Sequence, residues 1–412
     1  MRLLHTSDWH LGRRLYDRPR QDEHRQFLAW LLEIIKKEKI DVLLLAGDVF
    51  DSTVPAASVV DMYYQFLFQF YQQTGAHAVI ISGNHDSALR LAAPRDFLKI
   101  ARIHLVGHMP DEGNRENDGG NPFLISIRKE SEKIAVVALP YIPEGEILSH
   151  VSFEDEIESS RRYCQAIKKL YEEAVSQIPA GVPAVLMGHF FLAGGQVGES
   201  ERPIQVGGSQ PVGLQDLPES IHYAALGHIH RPQRFQHGNA LVTYSGSPIP
   251  MTFKEAEYDK KLFILDIKSG KPVALQEIVI PVFRPLVRVK GDFQQILQAA
   301  EDGEWEGKFV EVQLELDTPE VGLSDQIRAA FAQRGGEVAS VQATLVNQAE
   351  ENILTQEELE SHSPDAIFER FYVDQFGEPE DDETKNRLEH YLSTFKDLLK
   401  LHEQKQQTIL EP

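Results

Sequence analysis

The sequence predicts an α/β protein in four layers (α/β/β/α), two sheets face to face with helices outside, followed by a small α/β unit and a helical C-terminal tail. Three observations carry this. Residues 1–108 alternate β, α, β, α, β, α, β, the order of a mainly parallel sheet covered on both faces. Beyond the polar Gly/Asn loop at 111–121, short strands dominate up to about residue 280. Pro281 and Pro285 then bracket a boundary, after which the chain runs through its own β, α, β, α, β order. The expected domains are 1–280, 281–348 and 349–412.

Taken in order, RLLHTS opens the first strand and leads into a helix over 20–38, with Phe27, Leu31, Ile34 and Ile35 on one face. Strand DVLLLA, a helix over 55–73, strand HAVIIS, a helix over 87–101 and strand HLVG complete the first sheet. FLISI and KIAVVALPY start the second, followed by a helix at about 156–178 and strand PAVLMGH. YAALGH, ALVTYSG, KLFILDI and VALQEIVI read as further short strands with turns between them. The small unit reads PLVRVKG, a helix from Asp292, KFVEVQLEL, a helix from Leu323, and VASVQATLV. From Thr355 the chain is helical and acidic, and within 383–405 Leu388, Tyr391, Leu392, Phe395, Leu398 and Leu399 recur at helical spacing.

Composition narrows the function classes. No apolar run reaches the length that spans a bilayer, so no membrane association is expected. Asp8 already belongs to the first chemical cluster, so no cleavable leader is expected. The single cysteine, Cys164, lies in a helical pattern, reads as buried, and excludes an internal disulfide; a reducing cytoplasm is the expected compartment. The net charge of -22 argues against binding nucleic acid by charge alone. It is unevenly spread: residues 1–110 balance 13 Lys+Arg against 12 Asp+Glu, so the acidity lies downstream.

Five clusters carry the chemistry: DWH from Asp8, GDVFDS from Gly47, GNHD from Gly83, GHF from Gly188 and GHIH from Gly227. Each follows a strand-like run directly, and residues just past the strand ends of an α/β sheet converge at one edge. Hard divalent ions at phosphate take carboxylate, imidazole and amide oxygen ligands. Two ions about 3.5–4 Å apart need a bridging ligand, a task suited to a carboxylate. Asp48 is the expected bridge, Asp8 and His10 with His230 the ligands of one ion, and Asn84, His189 and His228 those of the other. Alternate residues of an extended segment point the same way, which is why D-x-H and H-x-H spacing recurs.

His85, beside Asn84, is assigned to the substrate as a hydrogen-bond donor or general acid, with Asp86 expected to orient its ring. Asp51 reads as a helix N-cap alongside Ser52 and Thr53, before Pro55, with assistance to the site as the alternative. Arg13, Arg14, Arg18 and Arg20 follow the first cluster in a loop-like stretch and are expected to touch phosphates at the mouth of the site. His5, His77, His104, His222 and His237 read as structural.

The order DxH, GDxxD, GNHD, GH, GHxH resembles that of calcineurin-like metallophosphoesterases. HTSDWHLGR, LLLAGDVFD, ISGNHDS, LPYIP, ALGHIH and YSGSP resemble more closely the nuclease subunits of bacterial SbcCD complexes, along the whole chain. That resemblance implies a metallophosphoesterase sandwich, a small α/β capping domain and a partner-binding tail. It implies a two-metal nuclease that uses Mn²⁺ (Mg²⁺ being the alternative) on DNA ends and hairpins, in repair and recombination. The implied partner is the SMC-like ATPase SbcC, with this chain a homodimer within a heterotetramer. The family's ligands fall on Asp8, His10, Asp48, Asn84, His189, His228 and His230, and its catalytic histidine on His85. The resemblance implies a histidine at the position of Asp51 in some relatives outside the bacterial branch, so it carries no role over onto Asp51. The alternatives are a protein phosphatase or small-molecule phosphodiesterase of the same superfamily, or a non-enzymatic scaffold.

Overall fold

The strand DVLLLA is apolar on both faces because both faces are covered. Leu43 and Leu45 join one core with Phe27, Leu31 and Ile35, whereas Val42, Leu44 and Ala46 join another with Val136, Val185 and Met187. A strand alternates its side chains between faces, so this division makes the strand the wall between a helix layer and a second sheet. The computed structural model describes residues 1–109, 121–150, 159–198, 200–201, 211–318, 320–345, 364–376, 384–385, 388 and 391–395.

The first part contains β1 (Arg2–Thr6), β2 (Arg14–Leu15), β3 (Arg18–Pro19), α1 (Gln21–Lys37), β4 (Val42–Ala46), α2 (Ala57–Thr74), β5 (His77–Ile81), α3 (Ala88–Ala92), α4 (Arg95–Ile100) and β6 (Ile103–Val106). The second contains β7 (Leu124–Lys129), β8 (Glu132–Ala138), α5 (Glu144–His150), α6 (Ser159–Ser176), β9 (Ala184–His189), β10 (Tyr223–Gly227), β11 (Gln233–His237), β12 (Ala240–Tyr244), β13 (Lys261–Asp266) and β14 (Ala274–Val279). One six-stranded sheet runs β14-β13-β1-β4-β5-β6 and the other β11-β12-β10-β9-β8-β7. The inner strands are parallel, and β13 pairs antiparallel to both β1 and β14.

Several details differ from the sequence reading. The helix expected over 87–101 breaks into α3 and α4 at Pro94, whose ring cannot continue the ladder. The stretch after the first cluster, expected as a loop, contains the hairpin β2–β3. The helix α5 and the edge strand β11 were not expected at all.

Residues 286–345 form a three-stranded sheet, β15 (Leu286–Gly291), β16 (Phe309–Leu316) and β17 (Glu337–Leu345), with α7 (Phe293–Asp302) and α8 (Leu323–Gln333). Asp292 starts α7 with a capping box: its carboxylate accepts from the Gln295 backbone N–H at 2.8 Å while Gln295 Oε1 accepts from the Asp292 N–H at 3.0 Å. Ile296, Val310, Val312, Ile327 and Phe331 make its own core. The β2–β3 hairpin ties it to the sandwich: Tyr16 Oη donates to Glu311 at 3.0 Å and Arg18 pairs with Glu337 at 3.2 Å.

The chain divides into two compact units, Met1–Thr344 and Leu345–Pro412. Within the second, Phe395 stacks on Phe368 of α9 (Pro364–Phe376), with ring centroids 4.5 Å apart. Leu388 is buried and Tyr391 exposed; Leu398 and Leu399 lie outside the described residues. Among the described residues no helix is long and apolar enough to cross a membrane.

Candidate metal centre

Strand register builds the site. Thr6 pairs with Leu45 and Ala46 with Ile81 in one sheet, and Gly227 with His189 in the other, so five strands end level with their neighbours. Past those ends the backbone turns sharply. Asp8 (φ 51), His10 (φ 44), Asp48 (φ 51) and His228 (φ 101) all take positive φ, a region that costs a non-glycine residue about 1–3 kcal/mol. The turns are held by Asp8 N–H to the Gly47 carbonyl and His10 N–H to the Asp48 carbonyl, each at 3.0 Å. Two glycines are required by close approach: a Cβ at Gly83 would lie 2.1 Å from Asp48 Oδ1, and one at Gly227 1.9 Å from the Ala46 carbonyl.

All seven expected ligands converge. His10 Nε2 faces His230 Nε2 at 3.1 Å, and Asp8 Oδ1 accepts the His228 backbone N–H at 2.8 Å. Asn84 Oδ1 lies 3.0 Å from His189 Nε2 and 3.3 Å from His228 Nδ1. Asp48 Oδ2 stands between the groups, 3.5 Å from His10 Nε2 and 3.3 Å from His189 Nε2. Donor atoms of Asp8, His10 and His230, and of Asp8, Asp48 and His189, all lie within 4.8 Å of one another. Burying imidazole nitrogens against each other and against carboxylates is costly unless a cation is shared among them. The donor set of carboxylates, imidazoles and one amide oxygen fits divalent ions.

The electrostatics agree. Burial alone would raise the Asp48 carboxyl, but the His189, His10 and His85 rings outweigh it and hold it below the usual carboxylate range. Burial would lower His189, but Asp48 and Asp8 raise it to about 9. His228, by contrast, is held well below the usual value by burial and by its neighbour His189.

The profile of the calcineurin-like phosphoesterases matches residues 1–232. A second profile, described as the type 5 capsule protein repressor C-terminal domain, matches 282–376. The SbcD subunit of the nuclease SbcCD from Bacillus subtilis (strain 168) is 36% identical over 293 residues, covering 70% of this chain and 72% of the relative. The corresponding subunit of Escherichia coli (strain K12) is 30% identical over 408 residues, covering 96% and 97%. That of Rhodobacter capsulatus is 31% identical, covering 89% and 93%. The chain belongs to the SbcD family of calcineurin-like phosphoesterases. It is accordingly a hydrolase of phosphoric esters that works with divalent metal.

Around the expected ligands of this phosphoesterase, two expectations are corrected. Asp86 does not orient His85. Its carboxylate accepts three backbone N–H groups, from Gly83 at 2.9 Å, Phe50 at 2.9 Å and Val49 at 3.1 Å, and so ties the GNHD turn to the GDVFDS turn. Burial and the nearby Asp48 charge nevertheless raise its carboxyl to about 7. The His85 ring is instead met at Nδ1 by the Asp51 backbone carbonyl, 3.0 Å away. Asp51 is no helix cap: α2 starts at Ala57 without a side-chain cap, and Asp51 Oδ1 lies 3.1 Å from Arg13 and 3.4 Å from His10 Nδ1.

The four arginines separate. Arg20 is buried, pairs with Glu23 and donates to the Pro250 carbonyl. Arg18 binds Glu337, and Arg13 binds Asp51 at the rim of the site. Arg14 is exposed, and its contact is with the Asp17 carbonyl in its own hairpin. The five histidines read as structural are engaged away from the ligands, His5 on the Tyr223 hydroxyl at 2.9 Å, for example, and His77 stacked on His104.

The motif reading missed the residues behind the ligands. Ser7 donates to Asp8 Oδ2 at 2.6 Å and contacts Ser245 at 2.8 Å. Glu201 accepts the His230 backbone N–H at 2.9 Å. Ser245 and Ser247 sit in YSGSP, a segment quoted for its resemblance but given no role. His24 is buried near Arg20, and its ring nitrogens have no hydrogen-bond partner among the described residues.

Proposed function

We propose that this phosphoesterase is a two-metal DNA nuclease that uses Mn²⁺. Asp48 carries the reading, because one carboxylate oxygen lies within 3.5 Å of a ring nitrogen from each ligand group. Asp8, His10 and His230 would hold one ion and Asn84, His189 and His228 the other, with Asp48 between. Four imidazoles favour a transition metal over Mg²⁺, and the carboxylates and amide favour Mn²⁺ among those. Bound there, the ions would supply an activated water and neutralise charge on the phosphate during in-line displacement.

The remaining steps fall to the chain. The Asp51 carbonyl fixes the proton of His85 on Nδ1, so Nε2 is the nitrogen that exchanges a proton with the leaving oxygen. No covalent intermediate is needed. The relatives are named as subunits of a nuclease, which supports a nucleic-acid substrate; DNA cleaved from duplex ends and within hairpins, during repair and recombination in the cytoplasm, is the finer reading proposed here. Those names also support assembly with the other subunit of an SbcCD-type complex; that this partner is an SMC-like ATPase, with this chain a homodimer within a heterotetramer, is part of the proposal. That partner would supply the basic surface that a chain of net charge -22 lacks. The tail, whose apolar residues within 383–405 recur at helical spacing, is the segment to dock on it.

The test is cleavage of labelled duplex and hairpin DNA by the full-length protein in Mn²⁺ or Mg²⁺, with and without the ATPase. Expected is Mn²⁺-dependent cleavage of both, increased by the partner. Hydrolysis of small phosphodiesters or phosphoproteins with no DNA cleavage under any of these conditions would overturn the nuclease reading in favour of a phosphatase.

A further inference from the structure

Behind His230 lies a buried charged network that no metal-ligand motif includes. Glu255 is 3% exposed and Lys260 5%, and they pair at 2.5 Å. The pair grips His230 from two sides. Lys260 Nζ donates to the His230 carbonyl at 3.2 Å and to Ser247 Oγ at 2.9 Å. Glu255 Oε1 lies 3.5 Å from His230 Nδ1, with Ser200 Oγ between them: Ser200 is 2.6 Å from Nδ1 and donates its proton to Glu255 Oε1. Glu255 Oε2 also accepts the Met251 N–H at 3.1 Å, which fixes the carboxylate in place.

Donor and acceptor roles along this line are determined. A carboxylate paired with lysine only accepts, so the Ser200 hydroxyl must donate to it. The Ser200 oxygen then accepts from Nδ1–H of His230. The ring is thereby held in the tautomer whose lone pair is on Nε2, the nitrogen that faces His10 across 3.1 Å. Partners that orient a ligating histidine through its other nitrogen commonly matter about 10–100-fold for metal affinity. In the second ligand group, His189 Nδ1 instead meets the neutral Ala46 carbonyl, at 2.9 Å.

We propose that Glu255, acting through Ser200 and held by Lys260, is the positioning residue that makes His230 a ligand and so sets the affinity of the Asp8–His10–His230 ion separately from that of its neighbour. This rests on the two-metal reading above.

The experiment is calorimetric titration of the full-length protein with Mn²⁺, comparing wild type, Ser200→Ala, Glu255→Gln and the double variant Glu255→Gln/Lys260→Met. The double variant removes both buried charges together, so no lone charge is left to unfold the chain. Expected is a wild type with two sites. One of these should weaken about 10–100-fold in Glu255→Gln and in the double variant, and less in Ser200→Ala, while the other is unchanged. A general loosening of the fold would not spare one site. Two sites at wild-type affinity in a folded Glu255→Gln or double variant would overturn the inference, as would equal weakening of both. A wild type that binds no Mn²⁺ would instead overturn the two-metal reading itself.

Discussion

His10 Nε2 and His230 Nε2 face each other at 3.1 Å, from positions 220 residues apart. One proton at most fits between them, so one ring offers its lone pair to the other or both offer theirs to a cation. Asp8 and Asp48 stand close by, and the ligand assignments can be tested one residue at a time.

Asp48 should matter to both ions, His10 to one. With Mn²⁺ in calorimetry, Asp48→Ala is expected to lose both tight sites and His10→Ala to keep one. One retained tight site in Asp48→Ala would reject the bridge.

His85 adjoins the ligands, with its ring centroid 4.6 Å from that of His10. His85→Ala is expected to keep two Mn²⁺ per chain and lose about 10²–10⁴-fold in cleavage rate, the usual scale of proton-transfer assistance. Metal content of the purified variant decides it, since loss of one ion would make His85 a ligand.

Arg14 and Arg20 should fail in different ways. Arg20→Met leaves Glu23 buried without its partner and is expected to cost about 3–5 kcal/mol of stability in urea unfolding. Arg14→Glu should leave stability intact, weaken DNA binding and flatten its salt dependence. Unchanged binding across a salt series would remove Arg14 from the substrate path.

His24 provides a pH test. Burial and then the Arg20 charge lower its ring to about 3. The unfolded chain therefore takes up a proton near pH 6.5 that the folded chain refuses until about 3. Stability from this group is complete above 6.5 and is lost as pH falls. In the metal-free protein, His24→Leu should have a shallower acid limb, by up to about 1.4 kcal/mol per pH unit in that window. Parallel urea-derived stability curves for the two proteins would refute it.

Much of this was legible because a site built at strand ends leaves a local trace in the chain: an apolar run, then the chemical pair. DVLLLA followed by Gly47 and Asp48 contains strand, turn and proposed ligand in eight residues. What was hidden depends on tertiary direction. Asp86 and Asp51 both flank ligands, and only the path of their turns decides that one carboxylate binds backbone and the other faces His10. The run KEAEYDKK is mostly charged, with nothing in its pattern to mark an inward face, yet Glu255 and Lys260 are turned inward. Strand β11 alternates half-buried and exposed residues at a sheet edge, too weak an apolar signal to stand out.

The level strand ends have a consequence for folding. Pairing Gly227 with His189 and Thr6 with Leu45 fixes which residue arrives at the centre from each sheet. A slip of one residue in any of these ladders would flip the strand and replace a proposed ligand by its neighbour. Ions that bound only the native arrangement would stabilise it by mass action. The centre thus acts as a gauge of alignment: two sheets formed from distant stretches of chain are checked against each other at the point where the chemistry takes place.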